Sequence, residues 1–224
     1  NKTLGKFTPD WTGGISNTFS YRSLSLSFLI DASVGGSIFS NTNKTGKYTG
    51  VLANTLSGRD AEHGGLWYYT AAMGNNVRLP ESPSYSVSSD GLYYAQVNGQ
   101  STRVYQDGIM VEGVTESGSK NEEVVSAEKY YHRIYSIAEA NVYDASYVKL
   151  REVALSYRLP RLWTQKLHLQ EASVTLTGRN LWTIYKSVPN IDPESALTTG
   201  NAQGVEAYSL PTTRSFGVNL SVKF

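Results

Sequence analysis

The sequence predicts an all-β fold, and within that class a run of antiparallel strands belonging to a transmembrane β-barrel. Two patterns and one feature of composition carry the prediction. Five segments alternate apolar and polar residues, each about 9 to 11 residues long, the length a tilted strand needs to cross a bilayer. The connections between them alternate short and long, so all the long ones leave from one end. Tyr (16) and Gly (20) are abundant among 224 residues while charged residues are only 17%, a balance that suits strands joined by polar loops.

The first strand is GGISNTFSY, with Ile15, Phe19 and Tyr21 on one face and Ser16, Thr18 and Ser20 on the other; Asn17 interrupts the apolar side. LSLSFLIDASV follows, placing Leu24, Leu26, Phe28, Ile30, Ala32 and Val34 opposite Ser25, Ser27, Asp31 and Ser33, with Leu29 as the exception. Only Arg22 and Ser23 lie between, which predicts a hairpin. With Tyr21 against Leu24, Phe19 meets Leu26 and Ile15 meets Ile30. Residues 36–144 then lose sustained periodicity. Within them Asn98-Gly99 predicts a type I′ hairpin turn. Val124, Ala127, Tyr131 and Ile134 predict a short helix inside 121–135. A connection this far beyond ordinary loop lengths is expected to be functional.

Alternation returns in DASYVKLREVALSYRLP, where Val153, Leu155 and Tyr157 oppose Glu152, Ala154, Ser156 and Arg158. Val148 and Leu150 are out of phase with them. Either a β-bulge lies near Arg151 or the strand projects past the apolar zone there. Pro160 closes the strand. In ASVTLTGRNLW, Val174 and Leu176 oppose Ser173, Thr175, Thr177 and Arg179. If Arg158 pairs with Ser173 across the short connection, a constant position sum sets Glu152 opposite Arg179. After a second long connection, 185–213, the chain ends on RSFGVNLSVKF. There Phe216, Val218, Leu220, Val222 and Phe224 share one face.

Composition narrows the function classes. A net charge of +1 argues for no nucleic acid or acidic surface, and the absence of cysteine excludes disulfides and thiolate chemistry. His63, His132 and His168 have no ligand spacing. The chain opens on Asn1 without an initiator Met or signal peptide. Five strands are also too few to close a barrel, so the expectation is one segment of a longer protein. Aromatics near predicted strand ends (Trp11, Tyr21, Tyr147, Tyr157, Trp182, Phe216 and Phe224) fit interfacial girdles. The competing reading is a soluble extracellular β-sandwich with Tyr-rich loops, such as a carbohydrate-binding module. It would have shorter strands and more even loops.

Four stretches, PDWTGGISNTFSY, YDASYVKLREVALSYRLP, GRNLWTIYKSVPNIDPES and RSFGVNLSVKF, resemble the SusC/RagA-type TonB-dependent outer-membrane transporters of Bacteroidota. Their order and spacing are similar to the last five strands of that family's barrel. The resemblance implies a 22-stranded barrel in the cell outer membrane, with residues 36–144 and 185–213 as extracellular loops. It also implies a plug and N-terminal strands lying outside this chain, energy from TonB through that missing part, and a SusD-like lipoprotein cap. The implied activity is import of a large glycan or peptide. The ending resembles the signal that the barrel-assembly machinery recognises, carried here by Ser215, Gly217, Leu220, Val222 and Phe224.

Other side chains invite chemical roles. Asn190, Asp192 and Glu194 could ligate calcium, but Asp-Pro-Glu starts turns and no EF-hand spacing follows, which favours a turn. Trp67, Tyr68 and Tyr69 in GGLWYYT, with Tyr93 and Tyr94, could stack on a ligand or partner, or pack inside a folded loop. Asp60, Glu62 and His63 are the sole carboxylate–imidazole cluster. With no G-x-S-x-G elbow they are expected to be surface charge, and the chain is not expected to be an enzyme or to hold a cofactor or metal. Glu152, Thr175, Thr177 and Arg179 are expected to face the lumen, and the apolar faces to meet outer-membrane lipid.

Overall fold

A computed structural model describes residues 2–166, 168–196, 200 and 203–224. The chain divides into two compact units, Asn1–Thr42 with Asn141–Phe224, and Asn43–Ala140. In chain order, a hairpin of β1 (Trp11–Tyr21) and β2 (Leu24–Val34) leads through β3 (Ser37–Ser40) into α1 (Asn41–Thr49). Then come β4 (Leu66–Thr70), β5 (Asn76–Arg78), β6 (Tyr85–Val87), β7 (Tyr93–Val97), β8 (Gln100–Ile109), β9 (Val125–Ser126) and α2 (Ala127–Ser136). The chain continues with β10 (Val142–Asp144), β11 (Tyr147–Arg158), α3 (Arg161–Lys166), β12 (Glu171–Lys186), β13 (Val205–Glu206) and β14 (Ser215–Lys223).

The first unit is built on an open, wholly antiparallel sheet of five strands in the order β1-β2-β11-β12-β14. The expected hairpin register is present, with Tyr21 opposite Leu24 and Ile15 opposite Ile30. Arg22 takes φ 54° at the turn, the left-handed conformation that primed two-residue turns need. Rows of like side chains cross the sheet because alternation is kept strand by strand. One apolar row is Phe19, Leu26, Leu155, Leu176 and Val218; the next is Tyr21, Leu24, Tyr157, Val174 and Leu220. These rows are largely exposed. A sandwich would bury such a face against a second sheet.

The phase change at Arg151 is a bulge: Leu150 pairs with Ile30 while Glu152 pairs with Leu29, so Arg151 is the extra residue. It restores Val148 and Leu150 to the apolar face and turns Tyr147 and Lys149 to the polar one. Tyr147 therefore does not join an aromatic girdle; its hydroxyl is held among charges, 2.9 Å from Glu194 Oε1. Strand β12 runs four residues further than the alternation of its sequence reaches, through Lys186. A small sheet in the order β10-β3-β13 sits at the long-connection end. There Ile38, Val188 and Ile191 form a buried cluster. Glu206 is fully buried and accepts hydrogen bonds from Ser40 Oγ (2.8 Å), Thr42 Oγ1 (2.6 Å) and Ser209 N (3.2 Å).

The second unit has its own sheet, β5-β4-β8-β7-β6, with β9 added to β8. Most of its strands are three to five residues long, too short for alternation to stand out. Asn98 (φ 53°) and Gly99 (φ 76°) make the expected type I′ turn between Val97 and Gln100. The helix begins later than its spacing suggests. Val124 and Val125 are buried ahead of it, and Ser126 caps α2 by accepting from Lys129 N at 3.2 Å.

Candidate functional site

On the face opposite the apolar rows, the sheet carries small hydroxyl side chains. Ser20, Ser25, Ser156, Thr175 and Asn219 form one row through all five strands. Ser20 bonds Ser25 and Ser156 bonds Thr175, both at 2.7 Å between oxygens. The adjacent row is Thr18, Ser27, Ala154, Thr177 and Gly217. Beyond it Glu152 stands opposite Arg179, with Arg179 Nε donating to Glu152 Oε2 at 2.8 Å. This surface offers neutral donors and acceptors together with ion pairs, Glu152–Arg179 here and Arg158–Glu171 at the short-connection end.

At the long-connection end of this face, five charged groups converge. Lys149 Nζ donates to Asp192 Oδ1 at 2.5 Å and Glu194 Oε2 at 2.6 Å. Arg151 donates to Asp31 Oδ2 from Nε (2.9 Å) and Nη2 (2.7 Å), and also to Glu194. Asp192 further accepts from Thr212 Oγ1 at 2.6 Å and from Glu194 N at 3.1 Å. The side chains of Lys149 and Asp192 are only 4% and 8% exposed. Burial alone would force these groups neutral, so the pairing is what keeps them charged. The bulge matters here: it gives Arg151 the freedom to leave its ladder position and reach Asp31.

The network clamps the second long connection to the strands at both of its ends, through Asp192 and Glu194 early and Thr212 late. Ser195 N also donates to Asp192 O at 3.0 Å, so the Asp-Pro-Glu turn forms as expected. Its carboxylates accept hydrogen bonds from the strand cations Lys149 and Arg151. Sequence reasoning missed this partnership, because Lys149 and Asp192 are 43 residues apart. The available signal was the out-of-phase pair Val148 and Leu150, which places Lys149 on the polar face.

Burial raises the pKa of Asp192, but hydrogen bonds from Lys149 and Thr212 outweigh it and bring the carboxyl down to about 2. Glu194 is lowered likewise: burial opposes, and Arg151, Lys149 and Tyr147 prevail. Depressed carboxylates stabilise the folded form above their ordinary range near pH 4 and lose that contribution as pH falls through the folded value. A nitroxide at the exposed Leu210, beside Thr212, is therefore expected to keep its mobility down to about pH 4 and to loosen below it. Loosening that begins near pH 6 would contradict the pairing.

In the second unit the five aromatic candidates divide. Trp67 and Tyr68 are buried. Trp67 packs on Tyr85 and Tyr93 with ring centroids 5.1 and 5.7 Å away, and Tyr68 stacks on Tyr105 at 5.1 Å. Tyr69, Tyr93 and Tyr94 are half-buried. Elsewhere in this unit Lys47, Arg59, Asp107, Glu128, Tyr131 and His132 line a cleft of about 310 Å³. Asp60 Oδ1 lies 2.7 Å from His63 Nδ1 on the surface and also accepts from His63 N at 2.9 Å, a turn cap.

No protein-family profile matches the chain. A curated relative does: TonB-dependent receptor P3 of Formosa agariphila is 24% identical over 229 aligned residues, covering all of this chain. The chain is similar to a TonB-dependent receptor. It spans 17% of that relative's length. Among solved structures, the RagAB peptide importer in its open-open state aligns over 97% of this chain and 17% of its own, with 17% identity and a TM-score of 0.48. The same importer in its closed-closed state aligns over 100% and 18%, with 18% identity and a TM-score of 0.47. Of the four stretches that carry the family resemblance, NIDPES supplies Asp192 and Glu194 of the charge network. YVKLRE supplies its cations, Lys149 and Arg151.

Proposed function

We propose that the five-stranded sheet is part of a transmembrane β-barrel in the cell outer membrane, and that the complete protein imports a large solute, a glycan or a peptide, with energy supplied through TonB. The observation that carries this is the pairing of one exposed, apolar sheet face with an opposite face of hydroxyls and ion-paired charge. Lipid on one side and a watery lumen on the other account for both faces at once. Similarity to a TonB-dependent receptor over the whole chain supports the same reading. Along β14 and the residue after it, the apolar alternation runs from Phe216 to Phe224. Those eight steps cover roughly 27 Å along the strand and about 20 Å across a bilayer at the usual tilt, which suits a hydrocarbon band flanked by aromatics.

In this arrangement Glu152, Thr175, Thr177 and Arg179 face the lumen, against water or the plug contributed by the rest of the transporter. The long connections are extracellular. The cleft of the second unit, with Tyr69, Tyr93 and Tyr94, would meet cargo or a SusD-like lipoprotein, and Ser215, Gly217, Leu220, Val222 and Phe224 would serve as the assembly signal. The role is transport, not catalysis. A sandwich carbohydrate-binding module is disfavoured because its apolar face would be covered. Nitroxides at Val218 and Leu220 in the reconstituted protein test the proposal. Relaxation by oxygen dissolved in lipid is expected; relaxation only by an aqueous reagent would refute it.

A further inference from the structure

The short connection between β11 and β12 contains an unexplained surface. It folds as α3, whose Leu162 and Trp163 are 73% and 58% exposed. Thr164 is buried, and its hydroxyl donates to Arg161 O at 3.2 Å. At 100° per residue, Thr164 turned to the protein leaves Leu162 pointing away from it and Trp163 on one flank, with Arg161 and Gln165 on the flank opposite Trp163. The helix packs against β12. Ala172 shares the apolar face with Val174, yet it is only 3% exposed. Its partner Val222 is 36% exposed, the least of the apolar residues on β14. Leu159 N donates to Ala172 O at 2.9 Å, so the chain passes from this last apolar row into α3 within two residues.

Charge at this end is one-sided. Arg22, Arg158, Arg161, Lys166 and Lys223 lie around the two short connections, with Glu171 as the acid among the described residues, paired to Arg158 at 2.9 Å. We propose that α3 is an interfacial anchor: Leu162 and Trp163 enter the boundary between headgroups and acyl chains, and Arg161 and Lys166 meet lipid phosphates. Continuity with the apolar rows and complementarity to phosphate both favour a bilayer over a protein partner. The proposal rests on the membrane-spanning reading of the sheet. It adds that a connection, not only strands, contacts lipid.

The test uses the full-length transporter in nanodiscs of phosphatidylethanolamine and phosphatidylglycerol, with nitroxides at Trp163→Cys, Gln165→Cys and Leu220→Cys; this chain has no cysteine of its own. The ratio of oxygen to nickel-chelate accessibility is expected to be severalfold higher at 163 than at 165, and highest at 220. Equal, aqueous ratios at 163 and 165 with a lipid ratio at 220 would overturn the anchor while leaving the barrel standing. An aqueous ratio at 220 would instead remove the reading beneath it. Shielding of 163 from both reagents would assign the surface to a protein partner and also overturn the proposal.

Discussion

Lys149→Met is expected to destabilise the protein by about 3–5 kcal/mol, the range for breaking a buried ion pair from one side. Methionine keeps most of the volume, so packing is not what is lost. The loss is electrostatic: Asp192 stays buried with hydroxyl and amide donors but no cation, while Arg151 is already committed to Asp31 and Glu194. Denaturant unfolding of the full-length protein in detergent measures the effect. Adding Asp192→Leu to Lys149→Met should recover much of the loss, since replacing both members of a buried pair by apolar groups is often close to neutral. A single-variant loss below about 1 kcal/mol, the range of surface pairs, would show the clamp to be ornamental.

Leu220→Arg is expected to cost about 2–4 kcal/mol, the midplane value for a cation on the lipid face of a barrel. Leu220 lies four residues from both Phe216 and Phe224, so it is the centre of its strand's apolar run. Val222→Arg, two residues nearer the strand end, should cost less, because the guanidinium can reach the headgroups. The gradient is the diagnostic quantity. In a protein core both substitutions would be severe, and on a wetted surface both would be negligible. Folding equilibria of the two variants in lipid vesicles distinguish the cases.

Much of the sheet is legible in sequence because each strand has two faces in contrasting surroundings, which forces period two. The hairpin at Arg22-Ser23 follows from matched faces across a two-residue gap, and the opposition of Glu152 to Arg179 from parity once Arg158 is set against Ser173. At Arg151 parity marks a break in phase, which a bulge or a projecting strand would equally explain, and the structure has the bulge. What parity does not reach is less visible. The strands of the second unit are too short to display a period, and β4 carries an irregularity between Leu66 and Tyr68 that breaks it further. Trp67 and Tyr68 look like contact residues in sequence because adjacent aromatics give no sign of which surface will cover them. The charge network joins residues more than forty positions apart, and only folding brings NIDPES over Lys149. The helical spacing from Val124 was real but misplaced at its start, since the valines are buried by the sheet before the Ser126 cap begins the helix.

The extra residue at Arg151 gives β11 something like a reading frame. Downstream of it odd-numbered positions face one way, and upstream even-numbered positions do. Deleting this residue would join Leu150 directly to Glu152 and leave unbroken period two, with Val148, Leu150 and Val153 still on one face and Lys149 still on the other. What would go is the guanidinium that holds Asp31 and Glu194. Loss of one residue further along, at Ala154 for example, would instead turn over the side chains between it and the bulge. The bulge thus works as slack in the strand, one residue that can be taken up without moving the faces.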